Sequence, residues 1–245
     1  QFSLDGRAVL LPANEGRNLL HGGANGLSHR FWQMEAAGEA AVSLFYRSPH
    51  GENGFPGEVT FRLCVSLGEN TVLYSMKAEA DRPTPVSLAQ HNYYNLVGGG
   101  DICAHRLTSA ASRYLPVDAE GLPTGAVGDV AGTRFDFRPG ETLADLDPQQ
   151  QGVDINICFD ADRAPVLPVA ALEGPNGLRM RVFSDQPGAQ IYTAKHLAAH
   201  DGALARQTLA PFAGVCIEPQ GYPDAVNNAQ FPSVIISPDQ PYQQE

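Results

Sequence analysis

Two apolar alternations joined by a short turn narrow what this chain can fold into. In "EVTFRLCVSL" the residues Val59, Phe61, Leu63, Val65 and Leu67 alternate with mostly polar neighbours, the period of a half-buried strand. "GEN" at 68–70 then turns the chain into "TVLYSMKAEA", where Val72, Tyr74 and Met76 alternate again. That pattern predicts a hairpin. Similar short runs recur at "RMRVFS", "AQIYTA", "GVCIE" and "SVIIS", with 25 glycines and 19 prolines supplying breaks between them. A sustained helical period is absent, and "HLAAHDGALARQTL" comes nearest to one. The chain shows no repeat and no low-complexity linker. The expectation is a single all-β domain over residues 1–245, an antiparallel sandwich with long loops.

Charge narrows the partners. The chain holds 27 acidic against 16 basic side chains, a formal charge of -11. Nucleic-acid binding depends on clustered Lys and Arg, and no such cluster occurs, so DNA, RNA and anionic membranes are poor partners. A neutral polyol such as a sugar suits this charge. The cysteines Cys64, Cys103, Cys158 and Cys216 are far apart and form no CxxC, which points to buried free thiols rather than a zinc site. It also points to a reducing, cytoplasmic setting. No apolar stretch approaches the length of a membrane span, and the start lacks the regions of a signal peptide.

Four stretches gather polar groups at turn-like breaks. In "NLLHGGANGLSHRFW", His21 precedes two glycines that let a ligand or another backbone come close; a loop histidine is more often satisfied locally. In "SLAQHNYYNLVGGG", His91 sits among Tyr93, Tyr94 and two asparagines. Aromatic faces and amides suit sugar C–H surfaces and hydroxyls, and a polar turn with core tyrosines fits equally. In "GVDINICFD", Asp154 precedes an alternating run, a place where Asp is usually a turn former. In "GVCIEPQGYPDAVNNAQFPS", Glu218 follows three apolar residues and precedes Pro219. A charge there costs several kcal/mol unless answered, so it is either paired structurally, for instance with an arginine, or turned to a ligand.

Taken together and in order, these stretches resemble the aldose 1-epimerase (galactose mutarotase) family. "LHGGANGLSHRFW", "SPHGENGFPGEV", "HNYYNL", "YLPVDAEGLPTGAVGDVAGTRFDFR", "SDQPGAQIYT", "EPQGYPDAVNNAQFPS" and "SPDQPY" carry the likeness from one end to the other. The resemblance implies a large twisted β-sandwich that opens and recloses free hexopyranose rings of the galactose or glucose type. It implies His91 as catalytic acid, Glu218 as catalytic base and His21 as the histidine that helps hold the sugar at its ring oxygen. It further implies Asp154, Gln190 and Tyr93 as sugar-binding residues, with no cofactor and no metal, in a monomer or homodimer.

The chain departs from the family pattern at several places. Gln90 stands where Asn usually precedes the histidine, Pro219 where Thr usually follows the glutamate, and Ile155 where a histidine commonly follows the aspartate. Ile155 is expected to bear on hydrogen bonding behind the site and on sugar preference. The family's N-terminal strands, with an "NGR…NR"-type segment, are expected ahead of Gln1, and its final strand beyond Glu245. Two other readings stay open: a hexose-6-phosphate epimerase of the same fold, which would need an arginine cluster, and a non-catalytic sugar-binding module, which needs no acid–base pair.

Overall fold

The structure, a computed structural model, describes residues 1–164, 166–198, 200–204 and 207–245. Every strand pairing among them is antiparallel. The chain divides into two compact units. One comprises residues 1–88, 225–229 and 233–245, and the other residues 89–224 and 230–232. Among the described residues, no helix is long and apolar enough to cross a membrane.

The first unit is built on the expected hairpin. Val59–Leu67 pairs with Val72–Ala80 from Val59 opposite Ala80 to Leu67 opposite Val72. Ala41–Ser48 and Gln33–Ala36 extend that sheet on one side and Tyr242–Gln244 on the other. Val59, Phe61, Ala78 and Ala80 fall on one face by the two-residue period and are buried with Val86 and Ile236, packed by Trp32 and Tyr46. The same face becomes exposed towards the turn, where Leu67 and Val72 lie open to solvent. His21 also belongs to this unit. It is exposed, in a left-handed conformation at φ 53°, and opens a run of three such residues with Gly22 and Gly23.

The second unit packs two sheets around one core. A five-stranded sheet runs in the order Gly128–Asp129, Arg113–Tyr114, Asp154–Cys158, Gly188–Tyr192 and Cys216–Gln220, and a three-stranded one in the order Arg179–Val182, Ala170–Glu173 and Arg106–Thr108. Ile155, Ile157, Ala189, Ile191 and Ile217 from the larger sheet share their core with Leu107 and Leu172 from the smaller. Each isoleucine and leucine here contributes about 1.5–3 kcal/mol by leaving water.

The stretch closest to a helical pattern is not a helix. Residues His200–Leu204 and Gln207–Leu209 form two paired strands, while Ala199, Ala205 and Arg206 lie outside the described residues. Glycine at 202 and loose apolar spacing leave no stripe for a helix to bury. The α-helix among the described residues is a single turn, Leu143–Leu146, capped by the Thr142 side chain accepting from the Asp145 backbone N–H.

Candidate active site

Strand alternation gives the larger sheet of the second unit two unlike faces. Ile155, Ile157, Ala189, Ile191 and Ile217 turn into the core, so their neighbours Asp154, Asn156, Gln190, Tyr192, Cys216 and Glu218 share the other face. Register then aligns these into rows. Asn156 stands opposite Gln190, which stands opposite Glu218; Asp154 stands opposite Tyr192, which stands opposite Cys216. Three of the side chains expected from sequence, Asp154, Gln190 and Glu218, are therefore brought to one polar face.

The structure places Ile155 in the core behind the polar face. It is buried at 2 % exposure, in the core cluster on the side of the sheet away from Glu218. Its position between Asp154 and Asn156 in a strand dictates that orientation. A residue facing that way packs the fold and makes no hydrogen bond behind the polar face.

His91 arrives from outside the sheet on a segment tied to its last strand. Cys216–Gln220 is an edge strand, and its outer side is occupied by residues 90–94. Gln90 Nε2 donates to the Ile217 carbonyl at 2.7 Å, while Tyr94 and Val215 exchange backbone hydrogen bonds at 2.9 and 3.0 Å. Gln90 Oε1 in turn accepts from the Asn92 backbone N–H at 3.1 Å. Glutamine at 90 is thus an anchor. Gly214 allows the close approach, since a Cβ there would lie 2.9 Å from Tyr93 Cβ. Pro219 sits where a missing N–H is tolerated, on the edge strand.

This anchoring sets His91 against Glu218. His91 Nε2 lies 3.4 Å from Glu218 Oε1, and His91 Nδ1 lies 3.4 Å from Cys216 Sγ. Glu218 is 6 % exposed, whereas about a third of the His91 side chain meets solvent. Burial raises the Glu218 carboxyl to about 8, helped by the neighbouring Asp154 carboxylate. The Cys216 thiol is pushed up, by burial first and by Glu218 and Asp154 next.

Around this pair lie amide and aromatic groups. Gln190 Nε2 donates to Asp154 Oδ1 at 2.7 Å, which turns Gln190 Oε1 away, buried and without a protein partner. Tyr93 stacks on His91 with ring centroids 5.1 Å apart, and Tyr192 meets both rings edge-on at 6.3 and 6.4 Å. Burial, with the sulfur and acidic neighbours adding, raises the Tyr93 phenol to about 12. Tyr192 and Cys216 were not singled out from sequence. Each lies two residues from a predicted site residue in a strand, and that spacing was the available signal.

His91, Cys216 and Glu218 offer three donor atoms within 4.8 Å of one another. The imidazole presents a different nitrogen to each neighbour, hydrogen-bonding to the sulfur through Nδ1 and standing 3.4 Å from the carboxyl oxygen at Nε2. A buried carboxyl whose proton leaves near neutral pH, touching a histidine, can exchange protons with a bound hydroxyl compound.

The sequence as a whole matches the family model described as aldose 1-epimerase, over residues 1–245. It is 35 % identical over 249 residues to a galactose mutarotase of Rattus norvegicus, covering 99 % of this chain and 72 % of that protein. It is 32 % identical over 244 residues to an aldose 1-epimerase of Escherichia coli (strain K12), covering 95 % of this chain and 69 % of that one. Among solved structures, an aldose epimerase homologue from C. elegans superposes with a TM-score of 0.92 at 25 % identity, covering 99 % of this chain and 75 % of the other. A galactose 1-epimerase from Lactobacillus acidophilus gives 0.85 at 26 % identity, covering 100 % and 73 %.

Proposed function

The chain belongs to the aldose 1-epimerase family of isomerases, and from that premise we propose how its own residues interconvert the α and β anomers of a free hexose. In the reactive form the pair's one mobile proton sits on His91 Nε2 and Glu218 is a carboxylate; Glu218 takes the proton from O1 while His91 delivers its own to the ring oxygen O5, and the C1–O5 bond breaks. The open aldehyde turns about C1–C2. His91 then recovers the proton from O5 and Glu218 returns one to O1 as the ring closes on its other face. The two side chains end as they began, as general acid–base catalysis requires.

The observation that carries this reading is the buried Glu218 carboxyl, raised to about 8 and 3.4 Å from His91 Nε2. A carboxyl whose proton leaves at about 8 can give it up and take it back near neutral pH. Asp154 and Gln190 are assigned to the sugar hydroxyls, and the unmet Gln190 acceptor on the Glu218 face suits a ligand rich in hydroxyl donors. Tyr93 and Tyr192 offer rings to the sugar's C–H face. His21 is retained as the histidine that helps hold the ring oxygen on the strength of the sequence match alone. One family match running through residues 1–245 supports treating both units as parts of one enzyme.

The direct test follows freshly dissolved α-galactose and α-glucose by polarimetry or by one-dimensional exchange NMR. Catalysed approach to the anomeric equilibrium is expected, with both His91→Gln and Glu218→Gln strongly impaired. Parent-like rates in either variant would remove that residue from the acid–base pair.

A further inference from the structure

We propose that Cys216 is a positioning residue for His91: its sulfur accepts the hydrogen bond from Nδ1–H, so that one ring proton stays fixed there and Nε2 alone carries the mobile one. This rests on the acid–base reading of His91 and Glu218.

The geometry begins with the strand. Cys216 and Glu218 are two residues apart in Cys216–Gln220 and so point to the same face. The His91 ring lies across both, Nδ1 at 3.4 Å from the sulfur and Nε2 at 3.4 Å from the carboxyl oxygen. A histidine's two nitrogens are chemically distinct, and the partner of one decides what the other can do. When Glu218 and His91 share one mobile proton it lies on Oε1 or on Nε2. In both forms the ring's other nitrogen carries hydrogen, and Cys216 Sγ is the atom facing it. Burial among carboxylates keeps the sulfur a neutral thiol.

Neutrality matters to the reaction. A carboxylate beside Nδ1 would hold the imidazolium by charge and resist release of the Nε2 proton to O5. A thiol is a weak acceptor; it orients the ring and adds no charge. During the proposed cycle His91 alternates between imidazolium and the Nδ1–H form, and the sulfur accepts from Nδ1–H in both. The proton count closes without any change at Cys216.

The experiment pairs kinetics with NMR on the intact chain. In the parent at neutral pH, a 15N-coupled proton on His91 Nδ1 is expected, assigned by its loss in His91→Gln. Cys216→Ala should broaden that signal through exchange and lower kcat about tenfold with little change in KM. Cys216→Ser, whose hydroxyl also accepts, should recover most of both losses. A purely packing role predicts Cys216→Ser no better than Cys216→Ala, since both leave part of the sulfur's volume unfilled. Two results would overturn the proposal: a bare Nδ1 with the proton confined to Nε2, or Cys216→Ser no better than Cys216→Ala. Loss of the Nδ1 signal in Cys216→Ala without loss of kcat would also overturn the positioning role, whereas a parent-like rate in His91→Gln would overturn the acid–base reading beneath it. The parent spectrum decides the hydrogen bond even if a variant folds poorly.

Discussion

At the scale of the residue, Glu218 separates chemistry from architecture. Its ion-pair contact is with His91 rather than an arginine, and its proton is held more tightly than in water instead of less. Glu218→Gln keeps shape and reach but cannot accept the O1 proton, so kcat should fall by about 10²–10⁴-fold. Stability should move the other way. A carboxyl raised from its ordinary 4.5 to about 8 binds its proton better folded than unfolded. Its contribution is therefore complete below the unfolded value and is lost as pH climbs through about 8. Thermal melts of Glu218→Gln should lose that slope, and above about pH 8 the variant should melt higher than the parent. A variant that melts lower at every pH yet turns over normally would make Glu218 a structural residue. The same proton bears on rate. The proposed cycle needs one mobile proton in the His91–Glu218 pair, so kcat/KM should decline above about pH 8 as the pair loses it. A profile still rising at pH 9 would contradict this assignment.

At the scale of the element, the Cys216–Gln220 strand does two jobs by pointing alternate side chains to opposite faces. Ile217 closes the core while Cys216 and Glu218 meet His91. The Asp154–Cys158 strand behaves alike, and Ile155 belongs to its core side. Ile155→His should therefore act on stability, placing an imidazole in an apolar, well-packed site at a cost of about 3 kcal/mol. Ile155→Val should cost about 1 kcal/mol. Denaturant melts of both, with kcat/KM measured on galactose and glucose, check this. A well-folded Ile155→His with a changed sugar ranking would return that position to the site. Gln90 shows the complementary case of a polar residue used as a tie, its side chain replacing a strand partner along the edge at Ile217.

At the scale of the whole molecule, charge discriminates between substrates. A formal charge of -11, with Asp154 on the polar face, disfavours an anionic sugar by long-range repulsion. Catalysis on a free hexose should be nearly independent of ionic strength. Any rate on hexose 6-phosphate should be lower and should rise with salt as repulsion is screened. A preference for the phosphate at low salt would favour the phosphate branch of the fold. Dialysis against EDTA should leave the free-hexose rate unchanged, because each proposed proton transfer runs between Glu218, His91 and the sugar; loss on chelation with recovery on added metal would reverse that. Much of the molecule was written locally. The Val59–Ala80 hairpin, the β class and the short runs at 189–194 and 214–218 follow from side-chain alternation and turn residues, which depend on near neighbours in the chain, and the family motifs are contiguous stretches matched by resemblance. Strand period alone also places Cys216 beside Glu218 and Tyr192 beside Gln190. Which face is the core, and hence that Ile155 is structural, depends on a second sheet supplied by residues 106–108 and 170–182. The contact of His91 with Cys216 and Glu218 spans 125 residues or more of chain and rests on the Gln90 and Tyr94 ties to an edge strand. The raised carboxyl exists only because folding strips water from Glu218 and brings Asp154 near it. Local pattern determined the strands and the residue types; long-range packing and desolvation decided which of them can move a proton.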